Sequence, residues 1–543
     1  METKKSKNCK SSYILKELIG ASLSVLRSRF FVSSQETRQK ELRSGRDALR
    51  KIEHLSTKQI FVKKINIKKR FISKRFFLIL EKYTNLMNSL KYLLLLLLVP
   101  FLGISQAKDS RYQPKPYVQL KHPEWSKNAT IYEVNIRQYT KEGTFKAFEK
   151  HLPRLKKMGV DILWLMPIHP IGEEHRKGKL GSYYSVKDFK GVNPDFGTLK
   201  DLKSLIDKIH AMGMYVIIDW VGNHSAWDNP LTKEHPDWYT KSREGHFQPT
   251  PWYDWDDVID FDYNNPDFRE YMTGALKYWV KEANIDGYRC DVAGFIPVDF
   301  WENAREELDQ IKPIFMLAEW ESRDLYRKSF DMTYSWSLWD KLKLATTGGK
   351  GANALYEYMA HDVGSFPYDS YRMLFTDNHD KNSWEGNQFS NFGKGLETAM
   401  VLCGTANGMP LVYSGQEAGL NKSLEFFEKD EIVWKDHKFY GMYQKLFDLK
   451  HKNQAIWNGK WGGEMIRVTN NQMSDVLSFY REKNDDAVLS IFNFSDKSLT
   501  TSVDTKYYYG QYRELFTGKI FNINSEKIVF NLKPWDYLVL VRN

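Results

Sequence analysis

Between residues 130 and 415, short apolar segments alternate with longer segments in which apolar residues recur at helical spacing. The short segments are apolar on both faces, as is typical of strands in a buried parallel sheet. The longer segments have the period of helices that bury one face. The eight predicted strands are TIYEVNI (130–136), DILWLMPI (161–168), YVIIDWV (215–221), GYRCDV (287–292), IFMLAEW (314–320), DMTYSW (331–336), RMLFTD (372–377) and MPLVYS (409–414).

Two helices between these strands have clear start and stop signals. Thr144 can cap the first helix and Gly159 can end it, while Thr198 and Gly213 can do the same for the second. Eight strands that alternate with helices predict an α/β fold, namely a (β/α)8 or TIM barrel. The predicted inward faces carry Phe145, Phe148, Leu152, Leu155 and Met158 in the first helix, and Leu199, Leu202, Leu205, Ile209 and Met212 in the second.

One spacing in the predicted barrel is too long. The third and fourth strands begin 72 residues apart, whereas one strand–helix–strand step needs only about 30 residues. The surplus, at about residues 225–262, is rich in Trp, Asp, Pro and His. We therefore expect a short inserted domain after strand 3.

The pattern changes at about residue 455, after which short alternating segments are separated by turns. This pattern predicts a C-terminal antiparallel β-sandwich over residues 455–543, which follows a barrel domain over residues 108–454. The predicted strands are VLSFYRE (476–482), AVLSIFNFS (487–495), ELFTG (514–518) and YLVLVRN (537–543).

The N-terminal part has a different composition, with 23 Lys and Arg against 7 Asp and Glu before Lys108. Residues 87–107 contain Lys91, then a leucine-rich run too short to span a bilayer, and end in Ser-Gln-Ala. These features predict a secretory signal peptide and an exported protein, periplasmic or extracellular. Residues 1–86 are then a basic leader that we expect to be absent from the mature protein. A peptide from 1–86 in the mature protein would contradict this prediction and favour a basic tail on a membrane anchor.

The overall charge of +11 comes from the leader, because residues 108–543 carry 56 basic and 61 acidic residues. Binding of nucleic acid through bulk charge is therefore disfavoured, and no stable membrane insertion is expected after signal cleavage. Cys9, Cys290 and Cys403 are too far apart for a disulfide framework or a zinc motif. All 17 Trp lie after residue 107, which favours aromatic surfaces as the sites for a neutral ligand.

Polar residues follow four of the predicted strands, at the end where barrel enzymes carry their catalytic groups. Three carboxylates, one arginine and two histidines should therefore converge on one rim. They are His224 after the third strand, Arg289 and Asp291 at the fourth, Glu319 at the fifth, and His379 and Asp380 after the seventh.

Three carboxylates at one barrel mouth suit the cleavage of a glycosidic bond, since one must attack the anomeric carbon and one must protonate the leaving oxygen. Crowding raises the pKa of one carboxyl and suits it as the acid. Arg289 lies two residues before Asp291, on the same strand face, and can hold Asp291 as an ionised nucleophile. The two histidines can donate hydrogen bonds to sugar hydroxyls.

Four segments jointly resemble the signature regions of the α-amylase family of glycoside hydrolases, glycoside hydrolase family 13. They are DWVGNH (219–224), GYRCDVA (287–293), AEW (318–320) and FTDNHD (375–380). WLMPIHP (164–170) and GMPLVYSGQEAG (408–419) resemble the second and eighth strands of that family. The resemblance covers about residues 125–543.

The resemblance implies a role for each of these residues. Asp291 matches the nucleophile, Glu319 the general acid/base, and Asp380 the third carboxylate, which binds and distorts the sugar. The implied activity is retaining hydrolysis of α-glucosidic bonds, mainly α-1,4, in starch-like glucans or maltooligosaccharides. Contacts to the cleaved sugar are implied for Tyr184, His224, Arg289 and His379.

The resemblance implies no required cofactor and leaves a structural calcium open. Asn223 matches a residue that often binds calcium. However, Phe295 stands where calcium-binding members often have histidine, and the predicted insert is short. Both departures weaken the calcium expectation, since calcium needs a full set of oxygen ligands that the sequence does not identify.

Several alternatives stay open at this stage. Glu321 could compete with Glu319 for the acid role, and Asp219 is better suited to supporting Arg289 than to catalysis. The tryptophans of the insert could be sugar platforms or core. A transglycosylase, a cyclodextrin-cleaving enzyme or a debranching enzyme would share the same acid pair. A non-catalytic carbohydrate-binding barrel would lack at least one of the three carboxylates, and all three are present.

Overall fold

The structure, a computed structural model, describes residues 112–543, so the predicted leader (1–86) and signal peptide (87–107) lie outside the described residues. Its first ten strands are β1 (Ile131–Val134), β2 (Ile162–Leu165), β3 (Tyr215–Trp220), β4 (His224–Ala226), β5 (Val258–Asp260), β6 (Gly287–Cys290), β7 (Phe315–Ala318), β8 (Met332–Tyr334), β9 (Tyr371–Leu374) and β10 (Met409–Tyr413). All except β4 and β5 pair in parallel and close a barrel in the order β1-β2-β3-β6-β7-β8-β9-β10. The predicted eight-stranded α/β barrel is confirmed.

Helices surround the barrel and bury their apolar faces against it. Among the described residues, none of them combines the length and apolar character that crossing a membrane requires. They are α1 (Ile136–Tyr139), α2 (Phe145–Phe148), α3 (Leu152–Met158), α4 (Leu199–Ala211), α5 (Leu231–Glu234), α6 (Pro266–Glu282), α7 (Val298–Asp309), α8 (Trp336–Thr346), α9 (Ala352–Ser365), α10 (His379–Trp384), α11 (Gln388–Phe392), α12 (Leu396–Thr405) and α13 (Lys438–Lys452).

The helix signals of the sequence act as expected at α4 and only partly at α2 and α3. Thr198 and Asp201 form a reciprocal capping box at the start of α4. The single helix predicted from Thr144 to Gly159 is instead divided into α2, a 3-10 turn and α3. Pro153 lies in the first turn of α3. In a first turn the backbone N–H groups have no partner within the helix, so a proline loses no hydrogen bond there. In a continuous helix from Thr144 the same position would need that N–H as a donor.

The insert after strand 3 contains a two-stranded antiparallel hairpin formed by β4 and β5, with His224 opposite Asp260. The rest of the insert is loop, except for the short helix α5 and a 3-10 turn. Because β4 starts four residues after β3 ends, the hairpin stands directly over the carboxyl end of the barrel. This position makes it one wall of whatever binds there.

The C-terminal part contains a six-stranded and a two-stranded antiparallel sheet, as the sequence predicted in outline. ELFTG (514–518) is not a strand: β15 ends at Glu514, whose carboxylate accepts the backbone N–H groups of Phe516 and Thr517 and holds a turn. Five strands were not predicted, because their faces are exposed or half exposed and carry polar residues: β11 (Ile466–Arg467), β14 (Leu499–Asp504), β15 (Gly510–Glu514) apart from its last residue, β16 (Ile520–Ile523) and β17 (Lys527–Leu532). The strands are β11 (Ile466–Arg467), β12 (Val476–Lys483), β13 (Asp486–Asn493), β14 (Leu499–Asp504), β15 (Gly510–Glu514), β16 (Ile520–Ile523), β17 (Lys527–Leu532) and β18 (Tyr537–Arg542).

Two buried cations lie where the barrel meets the C-terminal sheets. Arg481 on β12 donates to the carbonyl oxygens of Thr405 and Ala406 at the end of α12, and burial lowers its pKa to about 9. Lys450 on α13 donates to the carbonyl oxygen of Gly408 just before β10. Arg481 therefore ties the C-terminal sheet to the end of α12, and Lys450 ties α13 to the segment that leads into β10.

Candidate active site

The three predicted catalytic carboxylates lie at the carboxyl end of the barrel and line one cavity of about 600 Å³. Asp291 directly follows β6 and Glu319 directly follows β7, while Asp380 is the second residue of α10, just beyond β9. Asn378 caps α10 with its side chain and so fixes the turn that carries Asp380. The volume lies within the usual range for small-ligand sites.

The buried guanidinium of Arg289 contacts three carboxylates. Its Nη1 donates to Asp219 Oδ1 and Asp291 Oδ1, both at 2.8 Å. Its Nη2 lies 3.0 Å from Glu319 Oε2, in an ionic contact without hydrogen-bond alignment. Burial works against the guanidinium charge, but Asp219 and Glu319 outweigh it, so the pKa of Arg289 lies well above its ordinary value. Asp291 is therefore fixed beside a permanent positive charge.

The residue after the nucleophile candidate has an unusual backbone. Val292 adopts φ +35°, a left-handed conformation that is a genuine outlier for a β-branched residue. This conformation directs the Val292 N–H onto Glu319 Oε2 at 2.7 Å. Backbone strain of this kind costs on the order of 1–3 kcal/mol and is found where function needs the geometry. Here the strained residue Val292, which follows Asp291 in the chain, links Asp291 to Glu319 through this hydrogen bond.

Glu319 is placed in the environment of a proton donor. Burial raises its pKa well above the ordinary value, and the neighbouring carboxylates of Asp291 and Asp380 add to the rise against the opposing charge of Arg289. A carboxyl group with a raised pKa fits the part of a general acid.

Tyr184 and His379 form a stacked pair against the carboxylates. Their rings lie 5.4 Å apart at 22°, and His379 Nε2 lies 2.7 Å from the Tyr184 hydroxyl and 3.2 Å from Asp380 Oδ2. Tyr184 also donates to Asp219. The pair therefore presents one aromatic face and one ring N–H at the cavity, as a sugar-contacting role needs.

Glu133 on β1 was not identified from the sequence. It is fully buried, and its Oε1 accepts from His379 Nδ1 at 2.5 Å. Burial lowers the pKa of His379, but the carboxylates of Asp380 and Glu133 outweigh this effect and raise it to about 9. The imidazole is therefore an imidazolium near neutral pH, with Nδ1–H on Glu133 and Nε2–H directed to the Tyr184 hydroxyl and Asp380 at the cavity wall.

His224 begins β4 and lines the same cavity, so all seven predicted site residues lie together, six on its wall and Arg289 beneath it. The neighbouring Asn223 donates through Nδ2 to Asp260 Oδ1 at 3.0 Å, and Thr250 donates to the same oxygen. An amide that turns its N–H₂ to a carboxylate offers no lone pair there. The Asn223 amide nitrogen thus binds Asp260, and calcium at Asn223 stays a prediction. Within residues 112–543, no group of three or more His, Cys, Asp or Glu could hold a metal ion.

Aromatic side chains form two walls of the cavity. Phe426 stacks on the Tyr184 side at 6.2 Å, with Trp384 and Phe427 packed against it. Trp255 lies opposite, 5.8 Å from His224. Of the four insert tryptophans, Trp255 alone lines this cavity; Trp238 is buried in the insert core, Trp227 is partly buried, and Trp252 is fully exposed with φ +70°.

Glu321, the competitor for the acid role, is directed elsewhere. It accepts from Ser337 N at 3.0 Å and forms an ion pair with Arg372. It does not line the cavity that holds Glu319. The geometry therefore favours Glu319 as the acid.

Comparison with known proteins agrees with this arrangement. Residues 124–455 match the α-amylase catalytic domain, and residues 466–539 match the C-terminal domain of maltogenic amylases. α-Amylase 2 of Dictyoglomus thermophilum is 24% identical over 451 residues, which is 75% of each chain.

Two solved structures share most of the described fold. A maltogenic α-amylase of Thermotoga neapolitana is 31% identical with a TM-score of 0.70, and the match covers 76% of this chain and 98% of that one. An α-amylase of Lactobacillus plantarum is 29% identical with a TM-score of 0.68, covering 77% and 100%. The chain belongs to the α-amylase family of glycoside hydrolases.

Proposed function

We propose that this protein is a retaining hydrolase of α-1,4-glucosidic bonds in starch-like glucans or maltooligosaccharides. The observation that carries the proposal is the contact of one guanidinium, Arg289, with both Asp291 and Glu319 at the wall of the cavity. Retaining enzymes need the two carboxyl groups about 5–5.5 Å apart, closer than the inverting pair. Two carboxylates on neighbouring nitrogens of one guanidinium suit the shorter separation.

In the first step, an Asp291 oxygen attacks the anomeric carbon while the bond to the leaving oxygen breaks. Glu319 gives its proton to that oxygen, so the leaving chain departs as an alcohol and a glucosyl ester of Asp291 remains. The raised pKa of Glu319 keeps the proton available for this transfer. Arg289 holds Asp291 in place during the attack.

In the second step, Glu319, now a carboxylate, takes a proton from water. The resulting hydroxide equivalent attacks the anomeric carbon, the ester bond to Asp291 breaks, and the sugar leaves with its original configuration. Glu319 thereby recovers its proton and Asp291 its charge. Two inversions at one carbon give net retention.

The other site residues bind the sugar that carries the anomeric carbon. The ring of Tyr184 supplies an apolar face, which suits stacking on a pyranose. The imidazolium of His379 and the ring of His224 supply donors to hydroxyls, and Asp380, the more exposed carboxylate, accepts from them. These contacts tighten as the ring flattens toward the oxocarbenium-like transition state.

The maltogenic type is the member of the family that we favour. Its support is the match of residues 466–539 to a maltogenic C-terminal domain and the similarity to the Thermotoga maltogenic amylase. A transglycosylase, a cyclodextrin-cleaving enzyme or a debranching enzyme is the alternative. Product analysis on starch, cyclodextrin and pullulan separates these activities, since each leaves a different set of oligosaccharides.

Nuclear magnetic resonance of a fresh digest tests the proposal directly. We expect purified protein to cleave maltoheptaose, and the new reducing ends to appear first as the α-anomer before they mutarotate. Initial formation of the β-anomer would contradict the retaining mechanism. Absence of cleavage of any α-1,4-glucan would contradict the proposed function as a whole.

Glu133 provides a pH-dependent prediction. Because its carboxylate is one of the groups that raise the pKa of His379 to about 9, Glu133→Gln should lower that pKa and discharge the imidazolium at a lower pH. We expect KM for maltoheptaose to rise about tenfold at pH 8, the loss of one charged hydrogen bond, with less change at pH 5. KM measured from pH 5 to pH 9 checks this. Glu306→Gln, on the exposed face of α7, is the control, and a uniform rise in KM at all pH values would contradict the prediction.

Export remains a proposal that depends on residues 87–107, outside the described part of the chain. Its support is the sequence pattern there, namely Lys91, a short leucine-rich run and a terminal Ser-Gln-Ala. Mass spectrometry of the mature N-terminus tests it, and we expect the mature chain to begin at Lys108.

A further inference from the structure

Residues 172–181, here called the strap, form a braced loop between β2 and Tyr184. The strap leaves and rejoins the fold at a bridge between Ile171 and Val186. Arg176 folds back within it and donates from Nε to the Gly172 carbonyl oxygen at 2.8 Å. The loop is therefore tied at its base and braced inside, which gives it a defined shape.

One side of the strap is attached to the loop that follows β10. The Leu180 N–H donates to the Phe427 carbonyl oxygen at 3.0 Å, and the Lys179 N–H donates to Glu428 Oε1 at 3.0 Å. Gly178, with φ +63°, has no room for a side chain, since a Cβ there would lie 2.5 Å from Phe427 Cβ. The backbone of the strap is therefore in direct contact with the loop that follows β10.

The opposite side of the strap is attached to the insert. Lys177 Nζ lies 2.9 Å from Asp256 Oδ1 and 3.5 Å from Asp257 Oδ1, and it donates to the Asp254 carbonyl oxygen. Gly172 is pressed against Ala226 of the hairpin, where a Cβ would meet Ala226 Cβ at 2.4 Å. The strap therefore joins both walls of the cavity.

The strap lies at a defined end of the cavity. It follows β2 and contacts segments that follow β10 and β3, so its attachments span the arc β10-β1-β2-β3 of the barrel. Asp291 and Glu319 follow β6 and β7, on the other arc. Glu319 protonates the leaving oxygen, so the leaving chain departs on the side of the cavity where Glu319 lies, opposite the strap. The sugar stacked on Tyr184, three residues after the strap, is the one that carries the anomeric carbon.

We propose that the strap closes the cavity at the non-reducing end of the substrate, so that the enzyme removes short products of one length from that end of a glucan. The proposal rests on the proposed function, because it uses the roles of Tyr184 and Glu319. Lys177 is the latch that holds the strap to the insert. A closed end fixes how many glucosyl units fit before the cleaved bond, whereas an open cleft would accept a chain at any point.

Charge reversal at the latch tests the proposal. Lys177→Glu places a carboxylate against Asp256, Asp257 and the Asp254 carbonyl oxygen, and like charges at such distances repel strongly. Lys328→Glu makes the same charge change at an exposed position between β7 and β8, outside the strap and the cavity wall. The substrates are maltoheptaose labelled at its reducing end and the same compound with a bulky 4,6-acetal on its non-reducing glucose.

With native protein and the Lys328→Glu control, we expect labelled early products of a single length and slow cleavage of the blocked substrate. Lys177→Glu should broaden the early products and raise the ratio of blocked to unblocked cleavage about tenfold, which corresponds to ~1.4 kcal/mol. Equal cleavage of both substrates by native protein, or the same ratio in both variants, would overturn the strap proposal while leaving hydrolysis intact. Failure of native protein to cleave either substrate would instead contradict the proposed function. Melting temperatures of the variants confirm that each is folded.

Discussion

Asp291→Asn should reduce hydrolysis of maltoheptaose by at least about 10⁴-fold, the order of loss expected when a covalent nucleophile is removed. The amide oxygen of asparagine can still accept the hydrogen bond that Arg289 Nη1 makes at 2.8 Å, so the fold should be retained. The variant cannot form the glucosyl ester, because an amide oxygen is a poor nucleophile. Initial rates and thermal melting of the two proteins measure these effects.

The same substitution has a second consequence that a simple loss of fold would not produce. The Asp291 carboxylate is one of the groups that raise the pKa of Glu319, so its neutralisation should lower that pKa. Any residual activity of Asp291→Asn should therefore decline at a lower pH than that of the native protein, since Glu319 must be protonated to act as the acid. An unshifted profile would contradict the coupling between the two groups.

A trapping experiment identifies the nucleophile independently of rates. A fluorinated glucosyl fluoride should label the native protein on the peptide that contains Asp291, and should leave Asp291→Asn unlabelled. Asp207→Asn, at an exposed position of α4, is the matched control and should be labelled and active like the native protein. Label on another peptide, or undiminished hydrolysis by Asp291→Asn, would exclude Asp291 as the nucleophile.

The barrel and its rim were predictable because both leave local signals. A strand buried on both faces is mostly apolar, as in Ile162–Leu165 and Met409–Tyr413, so the eight strands stand out. Catalytic carboxylates must follow strand ends, where Asp291 and Glu319 are found. The small C-terminal strands gave no such signal, since a half-exposed strand such as Leu499–Asp504 carries threonine and serine that also suit turns.

The features that the sequence did not reveal depend on contacts between distant segments. Glu133 is a charged residue inside an otherwise apolar strand, but the sequence does not show its partner, because only the folded barrel brings it to His379, 246 positions away. The left-handed backbone of Val292 has no glycine to mark it. The strap depends on Lys177 meeting residues near 256 and on Gly178 meeting Phe427, and neither pairing can be read from spacing. The calcium expectation at Asn223 stays a prediction, because the contacts of its side chain to Asp260 and Thr250 use the amide nitrogen and not the oxygen that calcium would bind.

Glu319→Gln should separate the acid role from the nucleophilic role. Loss of a general acid costs on the order of 10²–10⁴-fold, so we expect this loss with maltoheptaose, whose leaving alcohol needs a proton. α-Maltosyl fluoride needs none, because fluoride leaves unprotonated, and its first-step cleavage should be largely retained. Azide should then restore turnover by attacking the glucosyl ester without a general base, giving an α-glycosyl azide.

Glu321→Gln is the matched control for Glu319→Gln, two positions along the same segment. Glu321 accepts from Ser337 and pairs with Arg372 outside the cavity, so its neutralisation should lower the melting temperature, because it leaves the largely buried Arg372 with less charge compensation. Hydrolysis of maltoheptaose by the folded variant should remain close to native. If Glu321→Gln instead lost activity on maltoheptaose, kept it on the fluoride and was restored by azide, while Glu319→Gln behaved as native, the acid would be Glu321. The hydrogen bond from the Val292 N–H to Glu319 Oε2 would then be only a structural contact. The fluoride and azide results thus assign the acid by its chemistry, which a change in stability cannot imitate.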